Sequence, residues 1–491
     1  MDIREDIVYE VIQSMADKEE KFFVKSARKN TFYFTLYTLI KKKEIYDSKE
    51  LAKELEKSGC KQPLYKLKSY LKAELLQSII RYNKENNEID ILQQLSEVKI
   101  LMLKGLYSEA LKVLFTLKIS IIEKGLFHFI PTIYSMNYKL GMLKKDTDPN
   151  VFVEYRQHFE ENLINYKLDY LYYYIKEIHL RKFSIKEDLE LRSTVENVLD
   201  DPVMIENNSS ESTLIKIKRY NIFSLYYLMV SDLDESLKNA FKAIDLLNIY
   251  PGAEYYSDIK IPLVRNVILF LSNLKRKDLI EKEAHKFIHE LTDLSKSNYN
   301  ALAVLFQIQN MQMICSNDFS NLELNTKKFL KKQRLFSIDF RAILLMGFSL
   351  VYMKKGDYDN ALDWIEKATS FCKKHELPYR LLGARVISYW IHFKLGNYRI
   401  LDSVHLSIKR QMEKYEISSN SYDFLVKYSR KYIQAYDITE QIPILEKWKQ
   451  DFDNLEFTDK MHFDTIYFSF FDNLEEMIKS HKESKAVKSI R

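Results

Sequence analysis

Apolar positions along this chain recur at helical spacing between polar breaks that come roughly every twenty residues. The clearest stretch is 354–368, KKGDYDNALDWIEKA, where Tyr358, Ala361, Leu362, Ile365 and Ala368 share one face of a 3.6-residue helix. Gly356 and Asp357 precede them as turn residue and helix start. Leu106, Ala110, Leu111, Leu114 and Leu117 repeat the spacing. One set of breaks lies near Gly59, Gly105, Thr147, Ser184, Asp232, Lys277, Asn317, Gly356, Gly396 and Asp437. A second set, near Asn86, Phe129, Tyr166, Asn208, Gly252, Ser297, Phe336, Pro378, Ser418 and Phe457, falls about midway between them. The pattern predicts helix, turn, helix, repeated about every 40 residues.

A single hairpin of this kind cannot bury both faces of its helices, so it stacks on a neighbour. The expected fold is therefore all-α, an α-solenoid of helical hairpins with an N-terminal helical cap. In the cap, residues 1–90, one long helix is predicted from Asp17 to Lys43, followed by helices at Ser48–Lys57 and Pro63–Asn83. Two solenoid segments follow, 91–200 and 213–450, joined through the Asp, Asn and Ser-rich stretch DDPVMIENNSSES at 200–212. Residues 451–491 read as a capping helix and a basic tail that frays from Lys479 onward.

Composition supports this reading and excludes others. Only 9 Gly and 8 Pro among 491 residues leave too few turn residues for a large sheet protein. With 75 Lys and Arg against 69 Asp and Glu, the net charge of +6 is small and the signs are interspersed, unlike a general nucleic-acid-binding field. Cys60, Cys315 and Cys372 are far apart and odd in number, which argues against a disulfide framework or zinc cluster and fits a reducing cytoplasm. The opening MDIREDIVYE lacks the basic and apolar regions of a secretory signal. The uncharged run Ala342–Met353 is too short to span a bilayer.

Between Ala342 and His375 the chain resembles the tetratricopeptide repeat superfamily: Tyr352, Gly356, Tyr358, Ala361 and Ala368 match its pattern, and Ser349 stands where the family has a small residue. Leu345 replaces the frequent Trp. Partial copies lie at Lys104–Leu117, with Gly105, Tyr107 and Ala110, and at Ile217–Tyr250, with Ser224, Ser236 and Ala243. In LGNYRILDSV, Leu401 and His405 depart from the pattern, and elsewhere the likeness is one of period, longer than the standard repeat. The resemblance implies a concave groove lined by the first helix of each hairpin. With Gly356 as the fifteenth position, the fifth is Met346, and its equivalents are Asn221 and, at or one residue away, Asn266. Peptide-clamping members often carry Asn there, which both donates to and accepts from a peptide backbone. Met346, Leu350, Met353, Trp390 and Phe393 would add an apolar stretch, so the expected peptide-binding residues are Asn221, Asn266, Met346 and Trp390.

Other constellations carry less. His285 and His289 share a helix face with Glu281, but no HExxH motif or nearby Cys completes a zinc site. No phosphate-binding glycine loop, nucleophile elbow or dinucleotide fingerprint is present. The segment Ser48–Tyr70 loosely resembles a helix-turn-helix, with Lys61, Lys66, Lys68 and Lys72 facing possible phosphates, yet Ala52 and Gly59 are too far apart for that motif. Lys25, Arg28, Lys29 and Lys41–Lys43 adjoin Phe32, Tyr33, Phe34 and Tyr37, a combination that can stack on RNA but is better read as the buried aromatic stripe of the long helix with a wet basic end. The preferred expectation is a non-catalytic cytoplasmic scaffold with a protein or peptide partner and no cofactor, metal, membrane or nucleic acid. The alternative is a peptide-sensing transcriptional regulator with a DNA-binding N-terminal region.

Overall fold

The computed structural model describes residues 6–42, 47–83, 87–144, 149–181, 189–205, 212–230, 232–251, 256–273, 277–295, 298–415, 420–454 and 474–484. All regular structure among them is helical. The chain divides into two compact units, one made of residues 1–163, 251–255 and 332–335, the other of 164–250, 256–331 and 336–491.

In the first unit, α1 (Ile7–Ser14), α2 (Asp17–Ser26) and α3 (Phe32–Lys42) pack on α5 (Leu64–Tyr82), and α4 (Ser48–Lys57) packs on α3. Leu67, Leu71 and Leu75, four residues apart, put one stripe of α5 into a core with Ile12, Phe23, Leu36, Leu51 and Leu55. The single helix expected from Asp17 to Lys43 is in fact two. Ala27 leaves the helical region with ψ 146°, the Arg28 N–H donates to the Tyr33 hydroxyl at 3.0 Å, and Thr31 Oγ1 donates to the Arg28 carbonyl at 2.6 Å. The break lets α2 and α3 fold onto α5 together, with Phe23 and Tyr37 edge to face at 5.0 Å. Next, α6 (Asn87–Leu103), α7 (Tyr107–Glu123) and α8 (Ile130–Lys144) pack in order around Ile91, Val98, Ala110, Leu114 and Ile121.

Helix α9 (Pro149–Arg181) is 33 residues long. It runs straight through Tyr166, where a connection was expected. No Gly or Pro lies between Asn150 and Arg181, and Leu168, Leu171 and Ile175 continue a buried helical stripe, so the polar residues near Tyr166 sit on the outer face of an unbroken helix.

The second unit continues with α10 (Leu189–Leu199), α11 (Thr213–Met229), α12 (Leu233–Ile249), α13 (Ser257–Asn273), α14 (Lys277–Leu294), α15 (Tyr299–Ser316), α16 (Leu322–Lys332), α17 (Ile338–Lys355), α18 (Tyr358–Lys374), α19 (Pro378–Lys394), α20 (Tyr398–Lys414), α21 (Asn420–Gln434) and α22 (Ile438–Asp453). A last helix, α23, covers 474–484. From α11 to α15 each helix packs on its successor, as it does from α17 to α20 and between α21 and α22. The odd-numbered helices α11, α13, α15, α17 and α19 also pack each on the next, forming a row. The expected breaks near Gly59, Gly105, Phe129, Asp232, Lys277, Asn317, Phe336, Gly356, Pro378, Gly396 and Asp437 all fall between or at the ends of helices. Those at Asn86, Thr147, Ser184, Asn208, Gly252, Ser297, Ser418 and Phe457 lie outside the described residues. The tail expected to fray from Lys479 is helical as far as 484.

The turns follow from backbone chemistry. At Gly356, φ is 85°, a region that a side chain disfavours. Its N–H donates to the Met353 carbonyl and that of Asp357 to the Tyr352 carbonyl, both at 3.0 Å, which closes α17. The Asp357 carboxylate then accepts the Asn360 N–H and opens α18. The helices meet closely at small residues: Ser349 Oγ donates to the Ala361 carbonyl at 2.7 Å. In the α11–α12 hairpin, Ser236 Oγ donates to the Ser224 carbonyl at 2.6 Å. Around these contacts α17 is enclosed, every residue from Ala342 to Met353 being buried. Phe348 sits 5.2 Å from Phe329 and 5.1 Å from Trp364, and burying each such side chain contributes about 1.5–3 kcal/mol.

Two outcomes test this packing. Ala361→Leu should destabilise the protein by about 1–3 kcal/mol in denaturant unfolding, because its methyl group already abuts the facing helix. Lys394, at the end of α19, is held by burial to a pKa of about 8; Lys354 lowers it further and Glu476 opposes both. Its folded value lies below the ordinary 10.5, so stability should rise as pH goes from about 8 to 10.5, where the unfolded chain binds the extra proton. Lys394→Met should therefore raise the melting temperature at pH 7 and lose most of that gain by pH 10.5.

Candidate functional site

The row of odd-numbered helices carries polar side chains at one repeated place. Met346 stands ten residues before Gly356, and Gln307 stands ten before Asn317. Asn266 and Asn221 occupy the corresponding places on α13 and α11, so these four residues lie on four successive packed helices. Asn221 is 6% exposed and is hydrogen-bonded to the Tyr172 hydroxyl of α9. Asn266 and Gln307 are partly exposed, and Met346, 4% exposed, faces Gly383 of α19. Trp390 is not brought to this row. It is 0% exposed, stacked on Phe393 at 5.1 Å and edge-on to Trp448 at 5.7 Å, within the large core. The helical period placed it on an apolar face, and that face is covered by neighbouring helices.

Two amides on α15 are left short of partners. Gln307 Nε2 and both amide atoms of Asn310 are buried with no hydrogen bond among the described residues. Burying an unmatched amide is costly. Gln307 was not singled out from sequence, although its distance from Asn317 carries the signal.

Beside the amides runs a seam of alternating charge. Lys218 of α11 pairs with Asp169 of α9 at 2.8 Å. Asp258 of α13 lies within electrostatic reach of both. Lys176 of α9 is lowered by burial and then by Arg265 of α13, with Asp258 opposing. Burial pushes the Tyr172 hydroxyl up to about 12 despite its bond to Asn221. Arg265 lies 5.7 Å from the Phe340 ring centre, and Arg380 of α19 grips Asp339 of α17 through two bonds of 2.9 and 3.4 Å. Burial alone would raise the Asp339 carboxyl, but Arg380 and the more distant Arg265 outweigh it and hold it below the ordinary range. None of these contacts could be read from one helix at a time, since each joins residues of different helices.

The remaining candidates are placed as follows. His285 and His289 are exposed on α14, and the Glu281 side chain lies outside the described residues. Among the described residues no group of three or more His, Cys, Asp or Glu gathers as metal ligands do, and no helix is long and apolar enough to cross a membrane. Burial pushes the Cys372 thiol up to about 11, away from nucleophilic reactivity. In the α4–α5 segment Lys61 and Lys66 are exposed, whereas Lys68 is paired with Asp6 at 2.6 Å. Tyr33 and Tyr37 are buried in the α3 core, which leaves Phe32 as the exposed aromatic of that group beside the partly exposed Phe34. The α6–α7 hairpin exposes Leu92, Ile100 and Leu103 on one helix and Phe115, Ile119 and Ile122 on the other, each set at 3–4 or 8-residue helical spacing.

No protein-family model matches the chain, and no curated protein matches it either.

Because the Asp339 carboxyl is held low in the folded protein, its pairing should contribute stability above the ordinary carboxylate pKa of 3.8 and lose it as pH falls through the folded value. Asp339→Asn should lower the melting temperature at pH 7, and the difference from the parent should close as pH falls below the folded value.

Proposed function

We propose that the chain is a non-catalytic interaction scaffold, a tetratricopeptide-like α-solenoid that holds a peptide or helical segment of another protein along the row α11, α13 and α15. The observation that carries this reading is the succession of amides Asn221, Asn266 and Gln307 on packed helices of the row, of which Asn266 and Gln307 are partly exposed. An amide every helix suits a ligand whose own repeating groups are backbone N–H and C=O, because Asn and Gln both donate and accept. The Lys176–Arg265 pair beside this row supplies positive charge for an acidic side chain, and the Asp339–Arg380 pair fixes the far side. The small-residue contacts at Ser349–Ala361 and Ser224–Ser236, the glycine turn at 356 and the ordered packing of α11–α15 and α17–α20 support the repeat architecture. Exposed apolar stripes such as Phe115, Ile119 and Ile122 are of the kind found on interaction surfaces.

Affinity capture of the tagged full-length protein from its own cells, with proteins and nucleic acids both identified, tests the reading. Asn266→Ala combined with Gln307→Ala should leave the melting temperature unchanged and reduce recovery of one protein about tenfold. Equal recovery of every protein by parent and variant, or recovery of nucleic acid alone, would overturn it.

A further inference from the structure

Helix α23 has the form of a ligand. Leu474, Met477, Ile478 and His481 fall at i, i+3, i+4 and i+7, one face of a helix. Leu474 is fully buried in the core that contains Leu350, Trp390, Phe393, Tyr432 and Leu445, and Met477 and Ile478 pack against the same core. His481 Nε2 lies 2.9 Å from the Tyr432 hydroxyl of α21 and 3.1 Å from Gln441 Oε1 of α22. Three ion pairs surround the apolar face. Glu476 meets Lys354 of α17, Glu475 meets Lys449 of α22 at 2.6 Å, and Lys482 meets Glu446 of α22 at 2.7 Å.

The receiving surface therefore has three parts: an apolar floor, two lysines at one end and a polar pair at the other. The lysines meet Glu475 and Glu476, next to the deep anchor Leu474. This is the arrangement by which proteins take an amphipathic helix into a groove, reading its anchors at i, i+3, i+4 and i+7.

The attachment is shallow. Of the residues in α23, Leu474 is the one fully buried, while Glu475, Glu476, Lys479, Ser480, Lys482, Glu483 and Ser484 are exposed. In α17, by contrast, every residue from Ala342 to Met353 is enclosed. Among the described residues the hold of α23 on the surface rests on one deep anchor, two partial ones and three charge pairs at its edges. Elements with few buried contacts open locally at much lower free energy than the core they sit on.

We propose that the surface formed by Lys354, Tyr432, Gln441, Glu446 and Lys449 is a docking site for an amphipathic helix of a partner protein with apolar anchors at the spacing of Leu474, Met477 and Ile478 and acidic residues directly after the first anchor, and that α23 occupies it in cis until a partner displaces it. The inference rests on the interaction reading above and names the partner's chemistry. It also gives the site a built-in threshold, since a partner must compete with a helix already present at high effective concentration.

The test is fluorescence anisotropy with a labelled synthetic peptide of residues 474–484 and the full-length chain. The variant Glu475→Lys, Lys482→Glu weakens the resident helix through exposed residues alone. It should keep the parent's circular dichroism and melting transition and bind the peptide about tenfold more tightly than the parent. Adding Lys354→Ala and Lys449→Ala should remove that binding. Equal affinity for parent and opened chain, or loss of the cooperative fold on opening, would make α23 a fixed structural part and overturn the proposal. A dimer of the opened chain in sedimentation at the same concentrations would make the occupant a second copy and overturn the partner assignment. The assay uses no cellular partner, so its failure leaves the Asn266 and Gln307 capture result standing, and failure of that capture leaves the peptide result standing.

Discussion

A helix that is apolar on every side must be enclosed on every side, and the second unit is arranged around that requirement. The run from Ala342 to Met353 has no face for water, so α17 needs α15 and α19 beside it in the row and α18 across the hairpin. Those neighbours bring apolar faces of their own, which the next helices cover. The distance between helices is set where side chains are smallest. At Ser349 and Ala361, and again at Ser224 and Ser236, a serine hydroxyl reaches the facing backbone carbonyl, a contact that a larger residue would prevent. The serine is also satisfied there, so the close approach leaves no buried hydroxyl without a partner.

Close approach has a consequence for the polar residues of the row. Side chains that would be well hydrated on a lone helix are partly stripped of water when α11, α13, α15 and α17 come together, and each must find protein partners. Some do so across helices, as Asp339 does with Arg380 and Lys218 with Asp169. Others are less well matched: burial and then Arg265 lower Lys176, and Gln307 and Asn310 keep unmatched amide atoms. Unmatched groups on an otherwise well-packed row are poor for stability, which is the usual mark of residues retained for contact with something else.

The positions of the turns were readable because Gly356, Gly396, Asn317 and Asp232 do local work with their own backbones and side chains. The failures have equally local causes. The end of α2 at Ala27 depends on Tyr33 and Thr31 capturing backbone groups, a matter of geometry rather than residue type. At Tyr166 the polar residues mark an outer face instead of a break. For the candidate site, register put Asn221, Asn266 and Met346 at like places on packed helices and would have put Gln307 there by the same count, without showing that Asn221 and Met346 are buried. It could not assign Trp390, because periodicity identifies an apolar face without saying whether a neighbour covers it, and Trp390 is covered by Phe393 and Trp448. The Tyr172 to Asn221 contact was out of reach for a different reason, since it joins residues of two helices whose pairing no local pattern records.

The same logic of enclosure explains why the row ends as it does. Each inner helix is closed by the one after it, but α21 and α22 have no further hairpin among the described residues. Helix α23 instead adds Leu474, Met477 and Ile478 to the core that holds Trp448, Tyr432 and Leu445, and leaves most of its remaining surface polar and exposed. The end of the array is thus protected by an element whose attachment is much shallower than that of any helix within the row, and shallow attachment at an apolar surface is the physical condition under which one helix can give way to another.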